Sequence, residues 1–317
     1  MFAESFIALV GLLSVHAIQD PTTITLPLRQ LPVAKYVVVL PVGVPIKKST
    51  DVFGVAVTAK AAAVLDVASG QLLFQKDVEK TYAIASLTKL VTAMTFLDSK
   101  PSLEEEVTIL PEDDPHQGKE VFINGERVSK RDLFRSLLIG SINTAAEALA
   151  RSTGDRTTFI RAMNEKAKSL GMIHASFADP AGLDPNSQAS ARDVAIALQA
   201  ALSYPEIRAV TAMNKVMVLG RVSGRSFEIK STNLLLNSFL NKAPYQILVG
   251  KTGSLPEAGF CLAQVTRNAE GNEVIAVVLG SDNHFSRFQD AKALTYWAFE
   301  NFNWPKVQAR LGQLSVK

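Results

Sequence analysis

The chain of 317 residues contains a single cysteine, Cys261, which excludes an internal disulfide framework and any zinc site built from several thiolates. Its four histidines (His16, His116, His174 and His284) are scattered and never paired at helical spacing, so no metal site is expected. There is no long basic run. With 33 basic against 30 acidic residues the formal charge is +3, which is not the balance of a nucleic-acid binder. No apolar run reaches the roughly 20 residues that a membrane span needs. What is present is an ordinary globular composition, 47% apolar and 20% charged, which rules out wholesale disorder and leaves enough chain for a sizeable core.

The first 17 residues read as a signal peptide or membrane anchor. An apolar run, Phe6 to Val15, ends at Val15-His16-Ala17, with small residues suited to cleavage after Ala17. No Lys or Arg precedes the run, and Glu4 stands there instead. Residues 18–58 carry Pro21, Pro27, Pro32, Pro41 and Pro45, which prevent regular helix and central strand, so this stretch reads as an extended stalk. The body is expected over 59–303, with 304–317 as a tail.

Within the body, Ala61 to Val67 and Gln71 to Gln75 read as a hairpin across Ser69-Gly70. A helix is predicted from Ser86, because Leu87, Leu90, Val91, Met94 and Leu97 recur at helical spacing. Ser129 with Asp132 and Ser190 with Asp193 look like capping boxes, and Asp155 caps a helix that Gly171 ends. Strands return after residue 213: 215–219, 226–230, 246–252, 259–266 and 273–279. A last helix is predicted over 285–302. Strands at both ends and helices between predict an α+β fold: an antiparallel sheet flanked by helices, with an all-helical subdomain of about 98–212 inserted in the middle.

Three short motifs carry chemistry. In Ser86-Leu87-Thr88-Lys89 the spacing of three puts Ser86 and Lys89 one helical turn apart. A serine hydroxyl needs an adjacent base, and a lysine serves when burial lowers its pKa. A helix start also offers N–H groups to a developing oxyanion. Lys251-Thr252-Gly253 follows the apolar run Gln246 to Gly250. It supplies an ammonium and a hydroxyl for a carboxylate, and Gly253 clears the strand edge for a substrate backbone. A phosphate-binding loop is excluded, because position 245 is Tyr where that motif needs Gly. Ser141-Ile142-Asn143 lies in a junction between two predicted helices. The same S-x-N pattern occurs at Ser231-Thr232-Asn233 and Ser281-Asp282-Asn283, but only Ser141 lies in the helical insertion between the other two motifs.

S-x-x-K, S-x-N and K-T-G in this order resemble the signature of penicillin-binding proteins and serine β-lactamases. The words Ile84-Ala85-Ser86-Leu87-Thr88-Lys89-Leu90-Val91-Thr92-Ala93, Phe177-Ala178-Asp179-Pro180-Ala181-Gly182-Leu183, Ala191-Arg192-Asp193 and Glu257-Ala258-Gly259-Phe260-Cys261-Leu262 narrow it. Over residues 59–303 the chain resembles the low-molecular-mass penicillin-binding proteins of the D-alanyl-D-alanine carboxypeptidase and endopeptidase group. The resemblance implies a β-lactamase/transpeptidase-like fold and a serine D,D-peptidase. It implies that a peptidoglycan stem peptide acylates Ser86 and releases its terminal D-alanine, with Lys89 as general base. Ser141 and Asn143 would assist proton transfer and hold the peptide. Lys251, Thr252 and Gly253 would bind the terminal carboxylate and backbone, and the N–H groups of Ser86 and Ser254 would form the oxyanion hole. β-Lactams would be covalent inhibitors; no cofactor, metal or nucleic acid is implied, and membrane contact is confined to the N-terminal segment. The protein would be exported, to the periplasm or the outer face of the cytoplasmic membrane.

Two departures stand out: Ile142 where these enzymes usually have Gly, with an expected effect on access, and Thr144 where Asp commonly follows the Asn. The short stretch after Lys251 matches members without an additional β-rich C-terminal domain. The alternatives weighed are a D,D-endopeptidase cleaving cross-links, a serine β-lactamase and a catalytically silent peptidoglycan-binding protein. A β-lactamase is disfavoured because no glutamate lies between Glu165 and Glu206. Cys261, Trp297 and Trp304 read as packing residues and Asp179 as a structural turn residue. His174 and His284 lack any serine–acid arrangement.

Overall fold

The computed structural model describes residues 43–49, 54–119 and 121–305. The expected leader, most of the stalk and nearly all of the tail lie outside the described residues. After β1 (Ile46–Lys47) the chain forms a hairpin of β2 (Ala61–Asp66) and β3 (Leu72–Lys76). Asp66 closes its turn by accepting from the Ser69 amide and hydroxyl, and Gly70 takes a φ of +72°. β4 (Tyr82–Ala83) leads into one 3-10 turn, Ala85–Thr88, and then α1 (Lys89–Asp98). β5 (Glu106–Thr108) pairs with β6 (Arg127–Ser129). The helical stretch follows: α2 (Lys130–Arg135), α3 (Asn143–Arg151), α4 (Arg156–Leu170), β7 (Gln188–Ala189), α5 (Ala191–Ala201) and α6 (Pro205–Thr211). The hairpin β8 (Lys215–Leu219) and β9 (Ser226–Lys230) precedes three long strands, β10 (Gln246–Leu255), β11 (Gly259–Arg267) and β12 (Glu273–Ser281). α7 (Ser286–Asn301) and β13 (Phe302–Asn303) close the described chain.

The sheet runs in the order β10-β11-β12-β2-β3, antiparallel throughout. The N-terminal hairpin therefore completes a sheet that the C-terminal strands begin, and the helices lie between them in sequence, as expected; the stretch 98–212 is not all-helical, however, since it also carries the short strands β5, β6 and β7. Alternation sorts each strand between two cores. Ala61, Ala63 and Leu65 of β2 face the helical side with Cys261, Ala263, Ile275 and Val277. Ala62 and Val64 face Phe288, Ala291, Leu294 and Ala298 of α7. α1 runs through the larger core, so every residue from Lys89 to Phe96 is buried. A helix that is buried all round shows a weak apolar stripe, yet the spacing of its leucines was still readable.

Three boundaries differ from expectation. Ile46–Lys47, inside the segment read as a stalk, pair with Phe302–Asn303 and belong to the body. The strand read as 246–252 runs on to Leu255, so Gly253 and Ser254 lie within the edge strand rather than past its end. Ser129 accepts from the Asp132 amide, but Asp132 turns to Arg135 and gives no reciprocal bond, leaving half a capping box. The box at Ser190 and Asp193 is complete, and Asp155 and Gly171 bound α4 as predicted.

Candidate active site

The turn that carries Ser86 is wedged between two glycines. Ala85 holds a φ of +48°, a left-handed conformation that disfavours an alanine by about 1 kcal/mol. Gly182 packs so tightly on it that a Cβ there would lie 2.1 Å from the Ala85 carbonyl oxygen. On the opposite side a Cβ at Gly253 would lie 2.8 Å from the Ile84 oxygen and 3.2 Å from the Ser86 nitrogen. The edge of β10 is thus pressed directly against the serine turn. No side chain other than hydrogen at 182 and 253 permits this approach.

One turn on, Lys89 is fully buried. Its Nζ lies 3.0 Å from Ser86 Oγ, 2.7 Å from Asn143 Oδ1 and 2.5 Å from the Ala181 carbonyl oxygen. The Asn143 orientation follows from its other end, where Nδ2 donates to the Gln117 carbonyl at 2.8 Å. Burial pulls the Lys89 pKa down to about 7, against the raising influence of Asp179 and Glu147. A neutral amine has two N–H donors and one lone pair. Asn143 Oδ1 and the Ala181 oxygen can only accept, so they take the two donors. The lone pair is left for the one partner able to donate, the Ser86 hydroxyl.

The Ala181 carbonyl is held by the turn around Asp179. That buried carboxylate accepts from the amides of Gly182, Leu183 and Asp184 and from the Ser187 hydroxyl. Asp179 is therefore a structural turn residue, as its sequence context implied, and its turn orients the lysine.

The second wall comes from the end of α2, which continues as a π turn over Ser136–Gly140. Ser141 then adopts a φ of +59°. This kink points Ser141 and Asn143 to the cleft and buries Ile142 in the core, so the Ile142 side chain does not line the cavity, contrary to the expected effect on access. Lys251 Nζ donates to Ser141 Oγ at 2.8 Å and to its neighbour Thr252's carbonyl at 2.7 Å. Burial holds the Lys251 pKa well below its ordinary value, and the nearby Lys89 and Arg287 charges lower it further. Thr252 Oγ1 bonds Thr232 Oγ1 at 2.6 Å.

All the residues singled out from the motifs converge here: Ser86, Lys89, Ser141, Asn143, Lys251, Thr252, Gly253 and Ser254. A cavity of about 300 Å³ is lined by Ser86, Ser141, Thr232, Thr252, Gly253 and Ser254 together with Lys119, Leu234, His284 and Arg287. Sequence reasoning missed Arg287 and Thr232. The Arg287 guanidinium donates to the Gly253 carbonyl at 2.9 Å and reaches His284 Nδ1 at 3.0 Å. It lies over the Phe260 and Phe288 rings, and burial lowers its pKa to about 10. No local pattern marks an arginine on a distant helix. Thr232 did carry a signal, since it is the middle residue of the second S-x-N match. Elsewhere Cys261 is buried with its thiol pushed up to about 11, a packing residue. Trp297 packs on Phe74 and Phe302, and Trp304 on Phe299.

A serine turn backed by a buried lysine, a serine–asparagine corner and a basic sheet edge, on this α+β scaffold, define a serine acyl-transfer enzyme of the penicillin-recognising class. Residues 47–283 match the family of D-alanyl-D-alanine carboxypeptidases, peptidase family S11. The chain belongs to that family. It is 34% identical over 242 residues to a D-alanyl-D-alanine endopeptidase of Pseudomonas aeruginosa, covering 75% of this chain and 76% of that one. It is 27% identical over 252 residues to the D-alanyl-D-alanine carboxypeptidase DacF of Bacillus subtilis, covering 77% and 63%. Among solved structures, penicillin-binding protein D2 of Listeria monocytogenes in its cefotaxime-bound form superposes with a TM-score of 0.68 at 30% identity, covering 78% of this chain and 99% of that one.

Proposed function

We propose that this protein hydrolyses the D-alanyl-D-alanine end of peptidoglycan stem peptides through an acyl-enzyme on Ser86. The observation that carries the reading is the Lys89 amine, 3.0 Å from Ser86 Oγ with a pKa near 7 and both N–H donors occupied. Lys89 takes the Ser86 proton as Oγ attacks the carbonyl carbon. The oxyanion forms at the N–H groups of Ser86 and Ser254; losing such a donor typically costs about 3 to 4 kcal/mol of transition-state stabilisation. The bonded pair Lys251–Ser141 returns a proton to the leaving amine. Thr252, Lys251 and Arg287 meet the terminal carboxylate, and its negative charge favours a protonated Lys251. Asn143 holds both Lys89 and the peptide. Water then deacylates Ser86.

A second reading, endopeptidase cleavage of cross-linked dimers, is favoured by the 34% identity to the Pseudomonas enzyme of that name. The bond broken is of the same kind, a D-alanyl amide next to a carboxylate. Digestion of purified muropeptides separates the two. Loss of a terminal D-alanine from monomers alone gives carboxypeptidase, loss of dimers gives endopeptidase, and no hydrolysis of either overturns the proposal. A β-lactamase reading finds no support in the cleft. The acids nearest Lys89 are engaged, Asp179 by its turn and Glu147 by Arg156. Such a substrate lies outside the cytoplasm, which supports export with residues 1–17 as leader or anchor. Among the described residues no helix is long and apolar enough to cross a membrane.

A further inference from the structure

The catalytic cleft is basic on two walls. Arg287, with His284, lies on one side, behind the carbonyl of Gly253. The other cation, Lys119, belongs to the loop between β5 and β6. That loop is tied across the mouth of the cleft by Asn143 Nδ2, which donates to the Gln117 carbonyl. Its backbone is set for this course: His116 has a φ of +54° and Gly118 of +96°, and a Cβ at Gly118 would lie 2.7 Å from Asn143 Nδ2. So Lys119 is delivered to the cavity by a bond to a residue that also holds Lys89. It is exposed, and among the described residues it has no hydrogen-bond or ion-pair partner. Among the described residues, no aspartate or glutamate lines the cavity.

One carboxylate next to the scissile bond belongs with the Lys251, Thr252 and Arg287 wall. An ammonium on the facing loop, with no acid beside it among the described residues, then awaits a different anion. We infer that Lys119 selects stem peptides bearing a second free carboxylate, upstream of the D-alanyl bond. This deepens the D,D-peptidase reading and rests on it. Two sources have the same chemistry: a carboxylate on the side chain of the residue before D-alanyl-D-alanine, or the free α-carboxylate of a γ-linked glutamate one residue earlier.

The test uses the full-length protein and peptides ending in D-alanyl-D-alanine. Each carboxylate is present free or as its amide, in separate peptides. Wild-type kcat/KM is expected to fall about fivefold on amidation of one of the two, the ordinary effect of a rim ion pair. That position names the source. Lys119→Met should discriminate less than about twofold between the same acid and amide, Lys119→Arg should keep the preference, and added salt should shrink it in wild type. Equal discrimination by wild type and Lys119→Met, or none in wild type, overturns the inference. Binding of the four peptides to Ser86→Ala, measured by calorimetry, gives the same comparison without turnover. A chain that hydrolyses no peptide therefore still decides the role of Lys119, while the failed hydrolysis counts against the D,D-peptidase reading alone.

Discussion

At the scale of single residues the cleft is governed by protons on amines. Lys89 can act as the proposed base only when neutral, and burial lowers its pKa from 10.5 to about 7. Acylation of Ser86 should therefore be level above about pH 7 and fall about tenfold per unit below it. Rates of penicillin labelling from about pH 5 to about pH 9 check this; a flat profile through neutrality would remove Lys89 as the base. Lys89→Ala should abolish labelling and Ser86→Ala should leave nothing to label. Arg287 tests a different kind of dependence. Its fork meets the Gly253 carbonyl and His284 at once, between two phenyl rings. Lysine keeps the charge and loses the fork. Arg287→Lys should raise KM for a peptide with a free terminal carboxylate about tenfold, the size of one charged hydrogen bond. A KM within twofold of wild type would leave Arg287 with no part in binding the terminal carboxylate.

At the scale of elements, the approach of the serine turn to β10 depends on what is missing from two side chains. Gly182 combines a φ of +72° with a 2.1 Å approach to the Ala85 oxygen. Gly182→Ala should lose about 3 kcal/mol or more of stability, because strain and overpacking both act on buried backbone. Gly253→Ala carries no left-handed φ and meets a smaller clash, with the Ile84 main-chain oxygen at 2.8 Å. It should fold and yet acylate about 100-fold more slowly, as β10 is pushed off the serine turn. Denaturant midpoints and labelling rates, measured on both variants, separate the two effects. The same junction explains how much could be read beforehand. Ser86, Lys89 and Asn143 were legible because their motifs are local, and the caps at Asp155 and Ser190 because capping is local. The left-handed Ala85, the π turn before Ser141 and the inward Ile142 were not. Each is set by packing from a segment far along the chain, and Arg287 reaches the site only because α7 folds back over β11.

For the whole molecule, the cleft is where separate parts of the chain meet. The 3-10 turn and α1 supply Ser86 and Lys89, the helical stretch supplies Ser141 and Asn143, and the sheet with α7 supplies Lys251 and Arg287. Lys89, Lys251 and Arg287 are all buried, and Arg287 lines a cavity that, among the described residues, no acid lines. Beyond the effect of burial, Lys89 and Arg287 both lower the pKa of Lys251, so these cations oppose one another electrostatically. Such an arrangement gives up stability for function. An acyl group that places a carboxylate between Lys251 and Arg287 relieves this repulsion and joins the helical and sheet walls through Ser86. Penicillin treatment should accordingly raise the thermal midpoint of wild type, by about 2 to 4 °C for each kcal/mol gained. Ser86→Ala, which forms no adduct, should show no such shift. The adduct should also persist longer than a peptide acyl group, because the amine freed when a β-lactam opens stays tethered to the acyl group and keeps water from the ester on Ser86. Intact mass after treatment should therefore show one penicillin per chain, lasting through dialysis. Rapid return of the unmodified mass would mean that water reaches the ester past the tethered ring, and the stabilisation would then be lost with the adduct.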